Sequence, residues 1–190
     1  MIEFIEGPLV WIGFAGFALG LLFKVIVGIA RLRRDPAIAA SLDGRFSLRS
    51  ILHWVVPFGS HNMRRHPVFT AASFLFHAAL LLTPLLAMGH AVLWERSLGL
   101  RWPSLPPGLT DGLTLLVVAL GLLFLLRRLV LPEVRRVSGV REALLLLLVI
   151  SPFITGYAAH AQWFDHRVTV ALHIVSGVAW LIAWTEPATS

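Results

Sequence analysis

Between Phe69 and Trp94 the chain reads FTAASFLFHAALLLTPLLAMGHAVLW, an apolar run without a charge that nonetheless holds two histidines, His77 and His90. At about 1.5 Å per helical residue, the run matches the ~30 Å hydrocarbon core of a bilayer, with some length left for tilt. A chain with such a stretch must set it in lipid or bury all of it. The histidines narrow the choice further, because an ionisable ring inside a span is costly unless it has a partner. Neutral imidazole is a common ligand of iron and zinc. The stretch therefore asks what two imidazoles bind inside a membrane.

Composition answers the first half of that question. Hydrophobic residues make up 57% of the 190 residues and charged residues 14%, with a mean hydropathy of +0.81. Soluble domains carry roughly 25% charge, so this is an integral membrane protein with no room for a separate soluble catalytic domain. There is no cysteine. That excludes disulfides, iron–sulfur ligation by this chain and haem attachment through C-x-x-C-H. The eight histidines are the strong metal ligands that remain. The net charge of +6 sits in loops between apolar spans, which marks membrane topology rather than a nucleic-acid partner.

Five spans follow from the apolar runs: 8–30, 69–94, 112–131, 143–160 and 168–184. The first is too long for a signal-peptide core and reads as a retained helix, with Lys24 near its lower end placed to snorkel. The loop 31–67 is basic, and within it 46–58 (FSLRSILHWVVPF) has the pattern of an amphipathic helix lying on the membrane surface. The link 95–111 is rich in Pro, Gly and Trp, and Trp94 and Trp102 suit an interfacial aromatic belt. Pro152 and Gly156 are expected kink sites in the fourth span. The loops after spans one and three hold seven and five of the sixteen Lys and Arg, and the opposite side holds three. The positive-inside rule then gives an all-α membrane protein of five transmembrane helices. Its N-terminus lies outside and its C-terminus in the cytoplasm.

His77 and His90 are thirteen positions apart, a rise of about 20 Å and, on an ideal helix, a divergence of about 140° between the rings. One metal ion cannot bridge them. Two haems stacked across the membrane would suit the rise, and a kink at Pro84 would be needed to turn both rings inward. His160 ends the fourth span and His173 lies a few residues inside the fifth. His90 and His160 are expected near the outer surface, and His77 and His173 closer to mid-membrane. That gives four inward candidates at two levels. The plainer role for any of them is a helix-to-helix hydrogen bond. His166, beside Asp165, reads as interfacial, and His53, His61 and His66 belong to the cytoplasmic loop. Tyr157, His160, Asp165 and His166 cluster at the outer end of spans four and five, where they offer hydrogen bonds and a proton route. No histidine pair has the helical spacing with a glutamate that a zinc protease needs. Apart from Arg127 and Arg128 at the basic end of the third span, Lys24 is the one charge inside a span, which argues against an ion-coupled transporter.

Several stretches together resemble a known family: PFGSHNMRRHPVFTAASFLFHAALLLTPLLAMGHAVLW (57–94), RWPSLPPGLTDGLTLL (101–116), LLRRLVLPEVRR (125–136), SPFITGY (151–157) and LHIVSG (172–177). They are similar to the cytochrome b-like membrane subunits related to the respiratory nitrate reductase gamma subunit, and most to the form in the transmembrane redox complexes of sulfate-reducing bacteria. The resemblance implies a five-helix subunit binding one or two haems b and exchanging electrons with menaquinone or another membrane quinone, whose headgroup Tyr157, His160, Asp165 and His166 would serve. Its implied partners, besides membrane lipid, are a cytoplasmic iron–sulfur subunit and a periplasmic multihaem cytochrome c.

Carried over, His77 and His90 match the ligand pair on the second helix and His173 the upper ligand on the last. Family chains continue to a further histidine about five turns later, a position this sequence does not reach. Either His77 pairs with His173 and His90 with His160, or one outer haem is held by His90 and His173. The alternative to both is a haem-depleted anchor that assembles redox partners without carrying electrons.

Overall fold

The computed structural model describes residues 4–34 and 44–185, and these contain helices and no strand. A π-helical turn, Ile5–Leu9, leads into α1 (Val10–Arg34). The remaining helices are α2 (Gly44–Val55), α3 (His61–Arg65), α4 (Pro67–Leu86), α5 (Met88–Leu98), α6 (Pro107–Val130), α7 (Pro132–Val137), α8 (Val140–His160) and α9 (His166–Ala183). Five of them, α1, α4, α6, α8 and α9, are long and apolar enough to cross a membrane. They alternate in direction, so the arginine-rich ends of α1, α4, α6 and α8 lie together, the side that charge asymmetry sets in the cytoplasm.

The spans form an arc in which α1 packs on α9, α9 on α8, α8 on α6 and α6 on α4. The tightest core lies along the α4–α6–α8 seam, where Phe76, Ala79, Leu80, Val117, Ile150 and Phe153 are buried. Packing in lipid relies on close fit rather than on hydrophobic exclusion, so small residues mark the seams. At Gly121 a Cβ would stand 2.4 Å from Cγ2 of Ile150, which fixes how closely α6 and α8 approach. At the outer end the arc closes through aromatic rings: Trp94 of α5 meets Trp11 at 5.7 Å and Phe14 at 5.2 Å. At the inner end the Lys24 ammonium donates to the Trp184 carbonyl. That places a cation on the unpaired carbonyl end of α9, where the helix dipole favours it.

Two boundaries differ from the sequence-based expectation in ways that matter. The run 69–94 is not one helix. Proline in a helix interior removes a backbone donor, and three residues after Pro84 the chain turns extended at Ala87 (φ −65°, ψ 133°) before α5 restarts at Met88. The link then folds back, with Leu105 N donating to Leu86 O at 2.8 Å. The third span also begins earlier than 112, at Pro107, so Asp111 sits inside α6 rather than in the preceding link. In place of the expected 46–58, a helix forms over Gly44–Val55. Its Leu48, Ile51, Leu52 and Val55, at helical spacing, are all exposed. Within the loop 31–67, residues 35–43 lie outside the described residues.

Candidate functional site

The break at Ala87 has a chemical consequence. A carbonyl in the last turn of a helix has no amide four residues on to accept from, and that of Pro84 accepts instead from Nδ1 of His90, at 2.6 Å. The same device recurs on the fourth span. Pro152 lacks an N–H, which leaves Leu148 O without its helical partner, and the Ser151 hydroxyl fills the gap at 2.9 Å. The carbonyl of Pro152 in turn accepts from Nδ1 of His173, 2.8 Å away on α9. A carbonyl can only accept, so each Nδ1 carries the proton and each neutral ring keeps its lone pair on Nε2.

These two imidazoles lie side by side as a loosely stacked pair. Their centroids are 5.8 Å apart and their planes lie within 15° of parallel. His173 reaches this position because α8 has no side chain at Gly156, where a Cβ would stand 2.9 Å from its Nδ1 and 3.0 Å from its Cε1. Both rings line a cavity of about 1080 Å³ bordered by α1, α4, α5, α6, α8, α9 and the link after α5. That volume lies just above the roughly 300–1,000 Å³ usual for cofactor and ligand sites. Phe14, Trp94 and Phe153 are among its apolar walls. Two side-chain polar atoms of lining residues, Thr83 Oγ1 and Trp180 Nε1, are buried without a hydrogen-bond partner. Buried donors are rarely left unsatisfied, so the cavity offers hydrogen bonds that the chain itself does not use.

The other candidates separate. His77 hydrogen-bonds through Nδ1 to Ser73 O, one turn back on its own helix, at 2.7 Å, and is exposed on the outside of the bundle. The divergence between His77 and His90 is met by turning only His90 inward. His160 lines the cavity at its outer end and pairs with Asp111, Nε2 to Oδ2 3.6 Å, with 60% of the histidine side chain exposed. Tyr157 lines the same wall and stacks edge-on against Trp163 at 5.5 Å. Asp165 and His166 do not line it: Asp165 caps α9, its Oδ1 accepting from Val168 N at 3.1 Å, and His166 opens that helix.

Asp111 is the residue that sequence reasoning missed. The available signal was P-P-G followed by an apolar period, since Pro is favoured at the first helical position and would have started the helix before Asp111. Among the described residues there is no cluster of three or more His, Asp or Glu able to hold a bare metal ion.

A protein of Nitratidesulfovibrio vulgaris (strain Hildenborough) is 36% identical to the chain over 189 residues, covering 96% of this chain and 83% of the relative. No family model matches the chain. No solved structure matches it.

Proposed function

The chain belongs to one family with its Nitratidesulfovibrio vulgaris relative, and from that footing we propose that it is a haem b-binding membrane subunit. It exchanges electrons between membrane quinone and partner iron–sulfur or cytochrome c subunits. The observation that carries this reading is the His90–His173 pair. Both rings line one cavity, and with each Nδ1 engaged by a backbone carbonyl each keeps its Nε2 lone pair for an iron bound there. Their centroids are 5.8 Å apart with nearly parallel planes, so the rings would turn about their side-chain bonds to bring both in-plane lone pairs to one iron. Two protein ligands alone suit a metal poorly, but they complete iron whose other ligands come from a macrocycle.

The groups around the cavity fit such an occupant. Pro84 O and Pro152 O fix the ring orientations and raise the basicity of each Nε2, as outer-shell acceptors do for metal-bound histidine. Thr83 Oγ1 and Trp180 Nε1 supply donors for its polar edges. Phe14, Trp94 and Phe153 keep water away from the rings, which sets the local dielectric. Bound haem supplies one-electron chemistry at a potential tuned by these ligands and by burial.

A quinol gives up two protons with its two electrons, and the outer end of the cavity offers a path for them. Tyr157 is placed to hydrogen-bond a headgroup oxygen. His160 accepts a proton there, and Asp111 stabilises the imidazolium before release to the outer face. The origin of the relative in a sulfate reducer agrees with the resemblance to the redox-complex subunits of such bacteria.

Single alanine substitutions test the ligand assignment. H90A and H173A should each abolish or strongly reduce bound haem, while H77A should retain it. Haem content unchanged in H90A and H173A would remove the site. A wild-type chain purified without any haem would leave the anchor role as the better reading.

A further inference from the structure

A second concavity lies at the opposite end of the molecule, between α4 and α6 at their arginine-rich ends, with a volume of about 610 Å³. Its walls are apolar: Val68, Phe69 and Ala72 come from α4, and Leu123, Leu126 and Val130 from α6. Its rim is basic, formed by Arg65, His66 and Arg127. The Arg127 guanidinium rests 4.4 Å above the centre of the Phe69 ring. Phe69 is in turn held edge-on by Phe124 at 5.6 Å, and Phe124 by Phe76 of the core at 5.4 Å. A guanidinium stacked by its face keeps its N–H edges free for an acceptor. Among the described residues neither Arg65 nor Arg127 has a carboxylate partner.

We propose that this groove is a specific site for an anionic glycerophospholipid. Its phosphodiester is held by Arg65 and Arg127, and one acyl chain runs along Ala72 and Leu123. Depth supports the match. Ala72 lies five positions inside α4 and Leu123 four positions from Arg127, about 6–8 Å below the rim, the course of an acyl chain's first carbons. Charge argues for an anionic headgroup, because a choline ammonium would meet the same arginines. The apolar floor argues for a lipid over a free anion, which would leave that surface bare. Basic pockets between transmembrane helices on the cytoplasmic side have this chemistry in general. The site is independent of the haem cavity and does not rest on the function proposed above.

The test uses the full chain purified in detergent and offered phosphatidylglycerol and phosphatidylcholine with identical acyl chains, with retained lipid read by native mass spectrometry. The wild type should retain phosphatidylglycerol in clear excess. R65Q and R127Q should each lower the ratio about fivefold. A72F, which keeps both arginines but fills the groove, should lower retained phosphatidylglycerol comparably. Should R127Q unfold through loss of its contact with Phe69, R65Q, from the short helix outside the bundle, decides alone. A ratio unchanged in R65Q and A72F overturns the proposal, as does displacement of the lipid by excess inorganic phosphate. A wild-type ratio near one also overturns it, and would fit a groove that receives a helix of another subunit.

Discussion

Gly156 of α8 and His173 of α9 are fitted to each other: a methyl group on the glycine would stand 2.9 Å from Nδ1 of the imidazole, the atom that donates to Pro152 O. One missing side chain thus sets where the ring lies and lets its Nδ1 reach Pro152 O. G156A is expected to push the ring off Pro152 O. Overpacking of this kind costs about 1–3 kcal/mol, so the helices should still assemble while haem content falls sharply. Haem titration of the purified variant beside its thermal unfolding measures both. Full haem content would show that the ring tolerates displacement.

Asp111 and Asp165 make a controlled comparison at the outer face. Asp111 pairs with His160 on the cavity wall, whereas Asp165 is taken up in capping α9. D111N should depress quinol-dependent reduction of the haem roughly 10²-fold or more, the usual scale for a positioned proton acceptor, and leave haem content intact. D165N should do neither, since Asn caps helices as well as Asp does. Stopped-flow reduction of the two variants by a quinol analogue distinguishes them, and equal rates would remove Asp111 from the proton path.

Lys24 meets the carbonyl end of α9 through Trp184 O. K24M keeps the length and apolar stem but removes the cation and its donors. The loss should be about 0.5–2 kcal/mol, the scale of a charge at a helix C-terminus. Thermal unfolding in detergent should show a lowered midpoint with the haem spectrum unchanged. A shifted spectrum would mean that the α1–α9 contact reaches further into the cavity than the geometry implies.

The close approach at Gly121 makes a claim about the bundle itself. Added bulk there meets Ile150 at 2.4 Å, in the best-packed part of the structure, so G121V should destabilise by about 1–3 kcal/mol. The paired variant G121V/I150A should recover part of the loss, because the two residues share one space. Additive losses would show that the contact does not limit the α6–α8 distance.

The spans were legible because length, hydropathy and the placement of arginines are properties of the sequence itself. The partnership of the histidines was not. Treating 69–94 as one ideal helix set His77 and His90 about 140° apart and left both pairings open. The structure stops that helix at Ala87, so His90 takes its direction from α5 and meets His173. Asp111 was hidden for a related reason, since the start of α6 moved it from a link to a helix face opposite His160. Both depend on proline and on where backbone hydrogen bonds stop, which a hydropathy pattern does not record. The roles of Pro84 O and Pro152 O as acceptors for imidazole are likewise invisible without coordinates.

The central claim is that His90 and His173 hold one iron porphyrin between them. The reduced-minus-oxidised absorbance spectrum of the purified chain, paired with magnetic resonance of the oxidised form, tests it most directly. The account predicts a b-type haem that is low-spin and six-coordinate with two imidazole ligands. A chain free of haem, or one whose iron keeps a low-spin bis-imidazole signature after His173 is replaced by alanine, would contradict it.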